Sequence, residues 1–105
     1  MVTQDQIDAV VSVLVELFDP QKIIPYGSYA NGTATDQSGI DLLVIRDTEL
    51  PRHRRLVKLG KKLAEVLVHP IDILVYTPQE IEEQSDFDLA FATKIIKEGK
   101  VLYKQ

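Results

Sequence analysis

Ile23-Ile24-Pro25-Tyr26-Gly27-Ser28 is followed, after ten intervening residues, by Gly39-Ile40-Asp41-Leu42-Leu43-Val44-Ile45. The reading of this stretch decides the fold. Two apolar runs of strand length flank a glycine-serine turn and a polar loop. A glycine-serine turn leaving a strand lets backbone N–H groups approach a phosphate closely, particularly where a helix N-terminus follows. The second run places a carboxylate, Asp41, on a strand, and a third apolar run, Ile71 to Tyr76, carries another, Asp72. A phosphate-cradling turn with carboxylates on strands is the equipment of metal-dependent phosphoryl or nucleotidyl transfer.

Outward from that stretch, helices alternate with strands. Thr3 and Gln6 form a capping-box pair ahead of Ile7, Val10, Val11, Leu14, Leu17 and Phe18, which recur at helical spacing until Asp19-Pro20. Lys22 to Tyr26 reads as a strand, with Pro25 marking an edge or a bend. Ser28 to Ala30 opens a short helix closed by Asn31-Gly32, and Ile40 to Ile45 is the next strand. Pro51 starts a helix to about Val66, with Leu56, Leu59, Leu63 and Val66 on its buried face. After the strand Ile71–Tyr76, Thr77-Pro78-Gln79-Glu80 is a helix start. Phe87, Phe91 and Ile95 mark a further helix stopped by Gly99, and Val101 to Tyr103 forms a last strand. The expected fold class is α/β (α+β), a mixed sheet flanked by helices.

Composition narrows the function classes. A chain of 105 residues reads as one domain, residues 1–105, with room for a single core and none for a separate substrate domain. There is no apolar run of membrane-spanning length and no basic-then-apolar leader, so no membrane association is expected. The absence of cysteine excludes disulfides and thiolate metal sites and fits a cytoplasmic protein. A net charge of −4 argues against direct nucleic-acid binding.

Side chains at i and i+2 on a strand share a face, so positions 39 and 41 lie side by side, with Asp72 on a neighbouring strand. The strand-borne Asp41 and Asp72 are the catalytic and metal-binding candidates, and Gly27 and Ser28 of the turn are the nucleotide-binding candidates. Mg²⁺ often uses only one or two protein carboxylates. Gly39 reads as a glycine at the start of a strand, a place where aspartate is expected to be tolerated. Asp36 falls in a polar loop, where turn formation is its better reading. Arg52, Arg54, Arg55, Lys58, Lys61 and Lys62 place six of the twelve cationic residues on one helix, read as a solvated face. His53 and His69 lack metal-pair spacing, and Tyr26, Tyr29, Tyr76 and Tyr103 read as packing residues.

Gly27-Ser28-Tyr29-Ala30-Asn31-Gly32, Ser38-Gly39-Ile40-Asp41-Leu42 and Ile71-Asp72-Ile73-Leu74-Val75 together resemble the minimal nucleotidyltransferases (MNT), the smallest members of the polymerase-β-like nucleotidyltransferase superfamily. That family's pattern is Gly-Ser, ten residues, Asp-x-Asp, and a third acid on a later strand. This chain matches the spacing over nearly its whole length and departs from the pattern at Gly39. The resemblance implies the nucleotidyltransferase fold, Mg²⁺ as cofactor and a nucleoside triphosphate, ATP, as substrate. It implies Gly27 and Ser28 on the triphosphate and Asp41 and Asp72 on the metal. It further implies a HEPN-domain toxin as partner, neutralised by transfer of AMP onto a toxin tyrosine. Gly39 sets an alternative beside this: a catalytically impaired binding module that neutralises its partner by complex formation. A free-standing transferase for a small hydroxylated substrate is a weaker reading, because no second domain holds an acceptor. Association into a homo-oligomer is open to such a domain.

Overall fold

The computed structural model describes residues 2–35, 38–51, 54–57, 59–66, 69–83, 95, 97 and 99–105. The expectations placed on Asp36, Arg52, His53, Lys58, Phe87 and Phe91 lie outside the described residues. Helix α1 (Gln4–Phe18) starts at the capping box read from the sequence. Gln6 N–H donates to Thr3 Oγ1 at 3.2 Å, and Thr3 N–H donates to Gln6 Oε1 at 2.8 Å. Asp19, with φ 47°, ends the helix in the left-handed region and returns its N–H to Val15 O. Val10 and Leu14 are fully buried, and burial of such a side chain stabilises by about 1.5–3 kcal/mol.

Among the described residues the sheet has four strands, β1 (Lys22–Tyr26), β2 (Ile40–Ile45), β3 (Ile71–Tyr76) and β4 (Tyr103–Lys104), in the order β3-β2-β1-β4. β1 runs antiparallel to β2 and β4, and β2 runs parallel to β3. The sheet is therefore mixed, as expected. Pro25 lies inside it. Ile23 O and Gln21 O accept from Leu102 and Gln105 on the β4 side, so alternation turns the Pro25 nitrogen to that side too. β4 pairs only with Lys22 and Ile23, and the missing N–H therefore removes no ladder bond.

Alternation sorts the side chains onto two faces. Ile23, Ile40, Leu42, Val44 and Val75 pack with α1 and with Leu59 and Leu63 in one core. Ile24, Leu43, Tyr76 and Ile95 form a second core on the other face, with Tyr26, Leu74 and Ile81 packed against it.

The long helix expected from Pro51 is shorter than its apolar spacing suggests. Helix α3 spans Gly60–Val66, and turns precede it, with Arg54 N–H bonded to Pro51 O and Leu59 N–H to Leu56 O, each at 3.0 Å. The cause is tertiary. Arg55 is buried, at 8% exposure, which corrects its place on a solvated face. Its Nε donates to Leu50 O, and its Nη1 donates to Val75 O and Glu80 Oε1, each at 2.8 Å. These bonds draw the segment onto the end of β3, and Gly60 is a weak helix former. Leu59 and Leu63 are nonetheless buried as the spacing requires. Helix α4 (Pro78–Glu83) opens on the second capping box, with Glu80 N–H on Thr77 Oγ1 at 3.0 Å and Thr77 N–H on Glu80 Oε1 at 2.8 Å. The last strand falls at 103–104 instead of 101–103.

Candidate active site

β1 ends at Tyr26, and Gly27 turns the chain into the short helix α2 (Ser28–Asn31). Gly27 has φ 74° and ψ −148°, a conformation that side chains with a Cβ avoid. A second constraint acts at the same place. A Cβ on Gly27 would collide with Asp41 Oδ2. The absent side chain is the space in which the Asp41 carboxylate rests, against the turn that precedes Ser28.

Strand register supplies the rest. Tyr26 pairs with Asp41 across β1–β2, and Asp41 pairs with Asp72 across β2–β3. The three side chains form a row on the face of the second core, at the sheet end where β1 finishes and β2 and β3 begin. Tyr26 Oη donates to Asp72 Oδ2 at 3.4 Å. Burial, and then the Asp72 charge, hold the Asp41 carboxyl above its ordinary pKa. Burial, followed by the charges of Asp72 and Asp41, pushes the Tyr26 phenol well above its usual value, so it stays protonated and serves as a donor. Tyr26 is thus more than the packing residue read from the sequence. Its signal was available in its position, immediately before the glycine turn and in phase with Ile24 on the second face.

Gly39 precedes β2 on the same side of the alternation as Asp41. Its glycine is set by close approach: a Cβ there would overlap the Pro70 carbonyl oxygen and lie 2.8 Å from Pro70 Cβ. Ile40 N–H bonds to that same carbonyl at 2.9 Å. The expectation that aspartate fits here without strain is therefore corrected, because the β2 and β3 backbones begin too close together.

All four candidates, Gly27, Ser28, Asp41 and Asp72, lie in this one corner. Two hard carboxylates at neighbouring register positions, one of them held above its ordinary pKa by burial and then by the other's charge, suit a hard divalent cation that neutralises both. Among the described residues no group of three or more acidic or histidine side chains is arranged for a metal. Among the described residues, Asp41 and Asp72 are the carboxylates of this corner that would hold such an ion.

The corner thus combines a glycine turn between the antiparallel strands β1 and β2 with one carboxylate on β2 and one on its parallel neighbour β3, in a mixed sheet of the nucleotidyltransferase type. The chain belongs to the nucleotidyltransferase domain family, whose sequence profile matches residues 7–103. It is 31% identical over 83 residues to a candidate protein adenylyltransferase of Methanocaldococcus jannaschii, spanning 79% of this chain and 78% of that protein. Solved structures share the fold. A toxin–antitoxin structure with AMP-PNP superimposes with a TM-score of 0.67 at 24% identity, covering 93% of this chain and 73% of the other. A chain of the Shewanella oneidensis complex of a tri-AMPylated HEPN toxin with its MNT antitoxin gives 0.63 at 20% identity, covering 97% and 72%. A candidate nucleotidyltransferase from Sulfolobus solfataricus gives 0.64 at 17% identity, covering 96% and 79%. No helix among the described residues is long and apolar enough to cross a membrane.

Proposed function

We propose that this chain, acting as a single cytoplasmic domain over residues 1–105, transfers AMP from ATP to a hydroxyl of a protein partner, and that the partner is a HEPN-domain toxin. The observation that carries the reading is the pairing of Asp41 with Asp72 beside the Gly27 turn. The adenylyltransferase name of the M. jannaschii relative and the AMP-PNP and HEPN complexes among the fold's neighbours support it. In the reaction the acceptor oxygen bonds to the α-phosphorus, the bond to the β-phosphate oxygen breaks, and pyrophosphate and the hydroxyl proton depart. Backbone N–H groups of the Gly27–Ser28 turn hold the phosphates. Asp41 and Asp72 hold Mg²⁺, which supplies neutralisation of charge on the transferring group. Tyr26 donates to Asp72 and keeps one carboxylate oxygen oriented.

A second reading is favoured by one observation, the packing of Gly39 against Pro70, which leaves no room for a third carboxylate. On that reading the protein neutralises its partner by binding alone. Labelled ATP, Mg²⁺ and the co-expressed product of a neighbouring reading frame separate the two. Transfer that disappears in an Asp41→Ala, Asp72→Ala double variant supports the enzyme. A stable complex without transfer supports the binding module, and transfer that survives the double variant removes the site assignment.

A further inference from the structure

The two edges of strand β3 are used differently. Ile40 N–H donates to Pro70 O at 2.9 Å, and Arg46 N–H donates to Tyr76 O at 3.0 Å. In a parallel ladder the alternation carries that assignment through positions 72 and 74. The backbone groups of Ile71, Ile73 and Val75 therefore face away from β2, and β3 is the terminal strand of the sheet among the described residues. Arg55 occupies the Val75 carbonyl at 2.8 Å, which among the described residues leaves the edge at Ile71 and Ile73 open. Beside it, on the α3 side, lies a groove of about 390 Å³ lined by Leu56, Leu63, Ala64, His69, Ile71 and Ile73. Arg54, Lys61 and Lys62 are exposed on the α3 segment; Lys62 pairs with Glu65 at 3.6 Å, which leaves Arg54 and Lys61 to make this flank basic in a chain of net charge −4. Between Ile71 and Ile73, Asp72 projects to the opposite face, into the candidate active site.

We infer that this edge and groove dock an extended, acidic segment of the protein acceptor by strand addition to β3. Main-chain bonds to Ile71 and Ile73 hold such a segment, and its alternate apolar side chains enter the groove. Acidic residues of the segment meet Arg54 and Lys61. The intervening side chain points to the Asp72 face, where a hydroxyl would meet the transfer site; that last step rests on the proposed transferase reading. A second copy of this chain is a poorer occupant. An antiparallel pairing of two such short edges, centred on position 72, sets Asp72 against Asp72, and like charges directly opposite destabilise a pair.

The test uses the full chain without nucleotide and two blocked peptides, acetyl-Glu-Glu-Val-Tyr-Leu-Glu-Glu-amide and the same sequence with lysine for glutamate, followed by amide NMR. The acidic peptide is expected to shift Ile71, Ile73 and the α3 residues, to bind more tightly than the lysine peptide, and to weaken with salt. An Arg54→Glu, Lys61→Glu variant, altered only at exposed positions, should lose about tenfold in affinity. Ile73→Pro removes an outward N–H and should abolish binding. Equal binding of both peptides, shifts away from the β3 edge, or no effect of charge reversal would overturn the inference. Concentration-dependent dimerisation in sedimentation, abolished by Ile73→Pro, would assign the edge to a second copy and overturn it as well. Because no ATP is present, docking stands or falls independently of AMP transfer.

Discussion

Restoring a carboxylate at position 39 tests the site and the packing together. A Cβ on Gly39 overlaps the Pro70 carbonyl oxygen, which is backbone and also accepts the first bond between β2 and β3. Accommodation therefore requires the two strand starts to separate. Loss of the Ile40–Pro70 bond costs about 1 kcal/mol, and forcing a methyl-sized group into a packed contact costs about 1–3 kcal/mol. The sum, about 2–4 kcal/mol, corresponds in a domain of this size to a fall in Tm of roughly 10–20 °C. Gly39→Ala carries the steric part alone, while Gly39→Asp adds a third negative charge beside Asp41. Both are expected to melt well below the wild type by circular dichroism. Mg²⁺ should recover only the additional loss in the aspartate variant, since cation binding stabilises the folded state. Transfer of labelled AMP by Gly39→Asp, measured below its melting range, shows whether the added carboxylate raises the rate. A Tm for Gly39→Ala within ~2 °C of the wild type would refute the argument from close approach.

Asp41→Asn should raise Tm at neutral pH without divalent cation. The raised folded-state pKa of Asp41 means that its contribution to stability is complete below the ordinary carboxyl range and is lost as pH rises through the folded value. The difference from wild type should therefore vanish in acid, and an equal difference at both pH values would contradict the assigned electrostatics. Gly27→Ala places a Cβ in the left-handed region and on Asp41 Oδ2. A loss of at least about 1 kcal/mol in urea unfolding is expected, together with weaker Mg²⁺ binding by calorimetry. Arg55→Ala removes three hydrogen bonds, to Leu50 O, Val75 O and Glu80 Oε1, while Glu80 keeps its bond from Thr77 N–H, with an expected cost of about 2–4 kcal/mol in chemical denaturation.

Much of this protein was legible in its sequence, because the relevant physics is local. Short apolar runs of strand length delivered β1, β2 and β3 with their observed bounds, and the Thr3–Gln6 and Thr77–Glu80 pairs delivered two helix starts. Side-chain capping and pleat alternation act within a few residues, so they can be read in order along the chain. The Gly-Ser turn and the spacing to Asp41 pointed to the corner that the fold assembles. Other features required segments far apart in sequence to meet. The α3 boundary was decided by Arg55 reaching across to Val75 and Glu80, a pull that the local helical spacing does not contain. The row of Tyr26, Asp41 and Asp72 exists only through strand register, and a slip of one residue would send these side chains to the other face. Gly39 illustrates the division most clearly. The sequence shows that a carboxylate is absent there, whereas only the approach of Pro70, 31 positions further along the chain, shows that the space for its Cβ is already occupied.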